Sequence, residues 1–600
     1  MKISKLAIIG SGPTAIYALQ HILENSEVLL KEFNAISIFE KNSKMGYGMP
    51  FNPEFTDKYN LSNITSEEIP KLPQTLANWL REQDHDYLKE LNIIEFPIKD
   101  TEVYSRIALG EYFRAQLKIV VQNLRNNGFT INEYNNHNVL DIKPISNTTT
   151  ELITETKHFK FNKIIIATGH HWKKENNAEA GYFDSPWPIF KLLNNNNDYY
   201  NFNIGILGAS LSAFDVVTSL AHRHGKFSRK KNKLHFELDP RAIGFKITLH
   251  DANGWLPHLQ YEQEQPFREM YRHTTREALF ELKNDKDNLF IETYFDKICR
   301  PALLKALEKD QIKEVIDLLK NKSFDFKQFI DTMAKKHEYV NSFVGMRKEL
   351  ELADKLLKRN KPIHWMETLD DLMYSLNFHT ELFSAEDHLF FNNEIKPFLM
   401  NVIAALPLQS AEILLALYDA DCIELVNGKV EIEDKKENGT QIKVFDDHGN
   451  ETTNTYKRFI NSSGNDTIEF DNFPFESLRK EGEISIAQAK FETLTHIKDA
   501  PSSIPEDAIL SKDEKLYLKL GGIAIDSVYR CINKNGKPSK TIYDLAFNHI
   551  YGLRPYSYGL QACNTTSLIM VNSLLDSKLH SDKPTEIRAI TKTYDKKNAL

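Results

Sequence analysis

The sequence predicts an α/β fold in which one strand-turn-helix-strand plan occurs twice, the second copy being interrupted by a large all-helical insertion. Three observations carry this reading. "KLAIIGSGPTAIYAL", close to the amino terminus, is an apolar run, a glycine-rich turn and a helix. "FNIGILGASLSAFDVVTSLAHRHG" repeats the same order from Phe202 onward. Between about Pro266 and about Ala420 the apolar residues change to helical spacing, as in "RPALLKALEKDQIKEVIDLLKN", "MRKELELADKLLKRN" and "IKPFLMNVIAALPLQSAEILLALYDAD".

In the first copy, Leu6 to Ile9 read as a buried strand, Ile16, Leu19 and Leu23 as the inner face of a helix, and "AISIFEK" as the second strand. Glu40 therefore closes that strand, where an acidic side chain can accept hydrogen bonds from a ribose. "NNHNVLDIKPI", "TELITET" and "KFNKIIIATG" give three short strands, the last ending at Ala167-Thr168-Gly169. In the second copy a helix stops at Gly225 after a basic last turn, and "FKITLHDANG" supplies the second strand. "CIELVNGKVEIED", "TQIKVFDDHG" and "YKRFINSSG" repeat the three short strands and the small-residue ending. The boundaries that follow are 1–175 and 176–265 for the fronts of the two domains and 266–420 for the insertion. Residues 421–465 return to the second domain, and 466–600 to the first with a closing helix and a loose tail.

Six hundred residues exceed a single hydrophobic core. With 75 basic and 83 acidic side chains the formal charge is −8, which gives no footprint for nucleic acid or an anionic membrane, so small-molecule chemistry is the default. Cys299, Cys422, Cys531 and Cys563 lie far apart, without a CxxC pair, a usage that fits a reducing cytoplasm. Gly10, Gly12 and Pro13 break the first apolar run too early for a signal peptide, and no later run would span a bilayer.

Gly10, Gly12 and Ala15 form GxGxxA: the first glycine permits a tight turn, the second lets amides approach a pyrophosphate, and the small third residue lets helix and strand pack. A preceding strand, a following helix and Glu40 together point to a dinucleotide. The second loop runs Gly208, Ala209, Ser210, Leu211, Ser212, with serine in the middle-glycine position. It reads either as a second nucleotide site or as a degenerate module that only supports the fold. His250, Asp251, Ala252 and Asn253 follow the second strand with no arginine for a 2′-phosphate, leaving NADH and NADPH undecided. Arg229, Lys230 and Lys231 are either phosphate ligands or a solvated loop.

Elsewhere, His222 and His224 suit a helix end better than a metal site. His170 and His171 line a cofactor cleft or a wet loop. Arg268, Arg272 and Arg276 fall on one helical stripe, readable as an anion site or as a solvated charged face. HExxH, GxSxG and P-loop patterns are absent.

"GSGPTA", Glu40 with "KMGYGMPF", "YNLSNITSEEIP", "YSRIALGEYF", "IIIATGHH", "GASLSAFD", "NGWLP", "INSSG" and "GLRPYSYGLQACN" together resemble the two-dinucleotide-binding flavoproteins. In particular they resemble a bacterial family of FAD/NAD(P)-binding proteins related to the N-hydroxylating flavin monooxygenases. The resemblance implies FAD held by Gly10, Gly12, Pro13 and Ala15 at the pyrophosphate and by Glu40 and Lys41 at the adenosine ribose. Asn60, Ser62 and Asn63 would run beside the flavin, Arg106 would precede a helix, Val139 would meet adenine, and Thr168 and Gly169 would close the loop. NADPH or NADH would lie on Gly208, Ser210, Leu211 and Ser212. A helix beginning at Asn564, Thr565 and Thr566, after Gly559, would aim its amides at the flavin, with Arg554 and Arg272 as candidates for a substrate anion. Asn63 also reads as a helix cap, and Arg106 as the partner of an acid.

The activity implied is that of a monooxygenase: reduced nicotinamide reduces FAD, dioxygen adds to the reduced flavin, and the hydroperoxide oxygenates a small polar amine or amino acid. No catalytic side chain is identified, because the flavin carries the chemistry. The alternatives are a flavin reductase or oxidase without oxygen insertion, and a flavin-binding interaction protein.

Overall fold

The computed structural model describes residues 4–575 apart from 170–175, 178, 195–197, 232, 287, 337–339, 358–360, 404–405, 437–438, 447 and 465–467, and beyond them Pro584. His170 and His171 lie outside the described residues. The chain opens with β1 (Ser4–Ile9), α1 (Pro13–Glu24) and β2 (Phe33–Phe39). An excursion containing α2 (Arg106–Asn126) leads to β3 (Thr130–Tyr134), a three-stranded antiparallel meander (Val139–Ser146, Thr149–Thr154, His158–Phe161) and β4 (Lys163–Ile166).

The second module comprises β5 (Tyr182–Phe183), β6 (Asn203–Leu207), α3 (Leu211–His224) and β7 (Lys246–Asp251). The helical insertion follows, including α4 (His364–Asn377) and α5 (Leu408–Asp419). The module resumes with β8 (Ile423–Asn427), its own meander (Lys429–Lys436, Gly439–Phe445, Glu451–Tyr456) and β9 (Phe459–Asn461). Finally β10 (Arg530–Ile532), β11 (Pro538–Asp544) and α6 (Gly559–Leu575) return to the first module.

One sheet runs β10-β11-β4-β1-β2-β3, parallel except for β10. The other runs β5-β9-β6-β7-β8, parallel throughout. These are two Rossmann-type sheets, and in each a meander separates the third strand from the strand that returns beside the first. The insertion occupies the same crossover, second strand to third, that residues 40–129 occupy in the first module.

Parallel strands are covered on both faces, which is why β1 and β4 read as unbroken apolar runs and Leu6, Ala7, Ile8, Ile164, Ile165 and Ile166 are wholly buried. Helix α1 starts at Pro13, whose missing N–H is no loss in a first turn, and buries Ile16, Leu19 and Ile22 against the same core. Each such side chain contributes about 2 kcal/mol by leaving water. Leu19→Ala would remove that contribution and leave a cavity, for about 3 kcal/mol in all. The insertion has its own core, built around Tyr294, Phe295, Trp365, Leu369 and Phe398, into which Tyr556 of the returning chain inserts.

Residues 266–275 are not helical; the helix begins at Arg276 after the Thr275 cap, so Arg268, Arg272 and Arg276 do not share one helical face. "SEEIP" forms a turn, and Asn63 is an exposed residue of the strand Leu61–Thr65 rather than a cap. Among the described residues no helix is long and apolar enough to cross a membrane.

Candidate functional site

In each sheet the central strand is flanked on opposite sides by the second strand and the returning strand, and a ligand crevice opens at the carboxyl ends where the order reverses. The hydrogen bonds at these two crevices repeat. Gly10 N donates to Phe39 O and Gly208 N donates to His250 O, both at 2.8 Å. Ala167 N donates to Ile9 O, and Ser462 N to Leu207 O, again at 2.8 Å. Ile16 N donates to Gly12 O at 3.1 Å and Phe214 N to Ser210 O at 3.0 Å. Gly10 thus corresponds to Gly208, Gly12 to Ser210, and Glu40 to Asp251.

Gly10 has φ +101°, and a Cβ there would stand 2.3 Å from the Ala167 carbonyl oxygen. Only glycine lets the loop turn this closely over β4. Gly208 repeats the conformation at φ +108°, with the Ser462 carbonyl oxygen 3.0 Å from its notional Cβ. Neither Gly12 nor Ser210 places a side-chain acceptor on the helix that follows, so the positive ends of α1 and α3 carry no side-chain cap. Thr168 Oγ1 and Ser462 Oγ, at the ends of β4 and β9, are buried without a hydrogen-bond partner among the described residues. Buried hydroxyls are ordinarily satisfied. A glycine cradle, an uncapped helix end and an orphaned hydroxyl fit the phosphates and hydroxyls of a dinucleotide, and the fit holds in both modules.

Glu40 is anchored rather than free: Oε2 accepts from Ser11 Oγ at 2.7 Å, and Oε1 accepts from Asn42 N at 3.0 Å and Asn42 Nδ2 at 2.8 Å. Lys41 and Gly169 are exposed, and Val139 opens the first meander opposite Thr154. Pro13 and Ala15 are buried in the first turn of α1, and Leu211 and Ser212 begin α3.

A cleft between the modules is lined by Ser62, Arg106, Leu211, Phe214 and Asp215, bringing expected residues of both modules together. Asp215 was not anticipated. Arg106 Nη2 lies 2.9 Å from Asp215 Oδ2, and its Nε donates to Oδ1 at 3.3 Å. Burial pushes the Asp215 carboxyl up to about 6 against the opposing pull of Arg106. An acid in the apolar stretch "AFDVV" is the sequence signal that a partner must exist.

Asn60, expected beside the flavin, is held by protein groups. Its Oδ1 accepts from Thr56 Oγ1 and Asp57 N, while Nδ2 donates to Asp215 O at 2.9 Å and Ser219 Oγ at 3.0 Å. The amide's capacity is filled by the protein, and it ties the first module to α3. Ser62 Oγ likewise donates to Ile64 O. Nearby, Tyr59 stacks on His222 at 3.7 Å, and Asp57 pairs with Arg223 at 3.2 Å. Burial lowers His222 to about 4, keeping it neutral; His224 is buried, with Nε2 accepting from Tyr200 N.

Helix α6 also differs from expectation. It starts at Gly559, so the amides of Asn564 and Thr565 are interior to it. Asn564 Oδ1 pairs with His21 of α1 at 2.8 Å, and Thr565 Oγ1 pairs with Tyr374 OH of α4 at 2.7 Å. Exposed Gly559, not Asn564, stands at the helix mouth. Arg554 is 2% exposed and pairs with Glu381 at 2.5 Å and Thr380 Oγ1 at 2.9 Å; a guanidinium so buried requires its counter-charge. Arg272 binds Asp371 at 2.7 Å and the Phe267 carbonyl. Both arginines expected to meet a substrate are therefore held by internal acceptors.

Around them the insertion is joined to the returning chain. Tyr556 OH donates to Asp370 Oδ1 and Arg268 Nε to Asp370 Oδ2, each at 2.6 Å, and Asn377 Nδ2 donates to Ser557 Oγ at 2.7 Å. Ser567 Oγ of α6 donates to Thr14 O in α1. The insertion, α6 and the glycine-loop helix thus form one packed unit. The four cysteines are free, three of them buried. Among the described residues no group of His, Cys, Asp or Glu is arranged to hold a metal ion.

Two family models match parts of the chain. Residues 7–171 match the family described as FAD-NAD(P)-binding, and residues 275–403 match the YdhS-like middle domain. The uncharacterized protein YdhS of Escherichia coli (strain K12) is 28% identical over 497 residues, covering 80% of this chain and 86% of that protein. Among solved structures, the reduced form of ornithine hydroxylase (PvdA) from Pseudomonas aeruginosa is 11% identical with a TM-score of 0.47, covering 96% of this chain and 99% of that one. FAD-bound DfoA, a cadaverine monooxygenase from Erwinia amylovora, is 9% identical with a TM-score of 0.42, covering 98% and 97%. The chain thus carries an FAD-NAD(P)-binding domain at its amino-terminal end and a YdhS-like middle domain within its helical insertion.

Proposed function

We propose that the chain is an FAD-dependent, NAD(P)H-using monooxygenase acting on a small polar substrate, with N-hydroxylation of an amine or amino acid as the reaction. The observation that carries this reading is the buried junction of α4, α6 and α1, in which Tyr556 bonds Asp370 and Asn377, Tyr374 bonds Thr565 of α6, and Ser567 of α6 bonds the Thr14 carbonyl of α1. Oxygen transfer demands a site from which water is excluded, and a helical insertion bonded to the cofactor-domain helices would supply that exclusion.

Bound FAD supplies hydride acceptance and oxygen activation. The residues that would hold it are Gly10, Gly12, Pro13 and Ala15 through the loop and the positive end of α1, Thr168 through its unpartnered hydroxyl, and Glu40 at the ribose. Gly208, Ser210, Leu211 and Ser212 would hold the nicotinamide nucleotide. Asn60 and the Arg106–Asp215 pair fix the second module against the first, which sets how the two nucleotides face each other. None of these groups needs to act as a nucleophile.

A second reading, a flavin reductase or oxidase without oxygen insertion, draws support from Arg272 and Arg554, since both candidate substrate anchors are occupied by internal acceptors. A dithiol relay draws none, since no two of the four cysteines are close in sequence and three of them are buried.

The test mixes the purified FAD-loaded protein with NADH or NADPH, first without and then with oxygen, and adds a panel of amines and amino acids. Flavin bleaching followed by a hydroxylated product is the expected outcome. Bleaching that yields peroxide alone with every substrate selects the second reading.

A further inference from the structure

We propose that the second module takes NADH in preference to NADPH and that Asp251 sets the choice; this rests on reading that module as the nicotinamide-nucleotide site. The repeated hydrogen bonds at the two crevices put Asp251 where the first module has Glu40. Both residues immediately follow the residue whose carbonyl receives the loop glycine's amide. Their own carbonyls are used alike, Glu40 O accepting from His137 N and Asp251 O from Gly428 N, just beyond the third strand of each sheet. An acid at this point of a dinucleotide fold accepts hydrogen bonds from the adenosine ribose, and the same charge repels a 2′-phosphate.

The carboxylate is held in place. Asp251 Oδ1 accepts from Asn253 N at 3.0 Å and Trp255 N at 3.1 Å, a turn that leaves Oδ2 to a ribose hydroxyl. Ser462 Oγ supplies an independent sign of a ligand: the residue is 6% exposed, its hydroxyl has no partner among the described residues, and it borders Gly208. The helix behind this loop, α3, is fourteen residues long with no side-chain cap.

A 2′-phosphate needs a cation, and the segment that closes and follows β7, Asp251-Ala252-Asn253-Gly254-Trp255-Leu256-Pro257, contains none. Arg229, the neighbouring basic candidate, is held by Glu412 in a two-pronged contact at 3.0 and 2.7 Å. Lys246 lies at the opposite end of β7 and is paired with Glu424 at 2.8 Å. Lys429, just beyond β8, is paired with Glu431 at 3.2 Å.

Calorimetric titration of the FAD-loaded full chain with NAD+ and with NADP+ tests the assignment, alongside anaerobic flavin bleaching by NADH and NADPH. NAD+ should bind at least about tenfold more tightly than NADP+. Asp251→Asn keeps the Oδ1 acceptor for the turn and removes the charge, so it should cut that ratio by about tenfold; Asp251→Ser should move it the same way. NADP+ binding as tightly as NAD+, no binding of either, or a ratio that both variants leave unchanged overturns the proposal. If NAD+ is preferred, Asp251 controls the preference and NADH still fails to bleach the flavin, the assignment of Asp251 stands and the oxidoreductase reading falls.

Discussion

Removing Arg106 tests the contact that fixes the two modules. Its partner Asp215 is 5% exposed. The Asp215 carboxyl binds its proton more tightly in the folded chain, about 6, than at its ordinary value of 3.8. Its contribution to stability is therefore fully present below about pH 4 and is lost as pH rises through about 6. At about pH 7.5 the raised value costs about 3 kcal/mol relative to an unperturbed carboxyl. Without the guanidinium nothing opposes the burial that raises Asp215, and in the limit where it keeps its proton through neutrality the cost grows to about 5 kcal/mol. Arg106→Ala should therefore lose about 2 kcal/mol at about pH 7.5 and close to nothing by this route at about pH 5.5, where both proteins hold the proton. That is less than the 3–5 kcal/mol typical of a broken buried pair, because this carboxyl can neutralise itself. Amide hydrogen exchange along α3, corrected for intrinsic rate, reads the loss as about thirtyfold faster opening at the higher pH. An equal loss at both pH values, or none at either, refutes the reasoning.

Thr168→Val removes a hydroxyl that has no protein partner, so the thermal midpoint of the FAD-free protein should stay unchanged while FAD affinity falls about fivefold, from one lost hydrogen bond of about 1 kcal/mol. A lowered midpoint with unchanged affinity would contradict the role given to that oxygen. Asn60→Ala breaks two bonds to α3 and should weaken α3 exchange protection by about 2 kcal/mol, with FAD affinity changed less than about threefold. Loss of FAD with α3 protection intact would place Asn60 at the cofactor after all.

Much of the fold is visible in the sequence because parallel strands announce themselves as apolar runs and the glycine loops sit between strand and helix. The insertion is visible as a change of period. Its helix α4 is not: every residue from Trp365 to Asn377 is buried, so no polar face marks the turns. The start of α6 is misread for a local reason, since Asn564-Thr565-Thr566 has the chemistry of a cap. In the fold Thr565 is drawn to Tyr374 and Thr566 Oγ1 bonds back to Ala562 O, while the helix begins a turn earlier.

Residues of the first crevice are legible from spacing alone. Asn60, Arg106 and Arg554 are not, because their partners Ser219, Asp215 and Glu381 lie 159, 109 and 173 positions away. Long-range partners decide whether such a side chain is free for a ligand. For Asn60 and Arg554 those partners are groups of the protein itself.

The account depends most on FAD being held by the loop from Gly10 to Ala15. Titrating flavin-free protein with FAD, for the native chain and for Gly10→Ala, measures this directly. A methyl at a position with φ +101° and 2.3 Å from the Ala167 oxygen must push the loop off β4. The account predicts one FAD per native chain and at least about a hundredfold weaker binding in the variant, the loss expected when loop amides no longer converge on the pyrophosphate. A native chain that takes up no FAD, or a variant that binds it equally well, would contradict it.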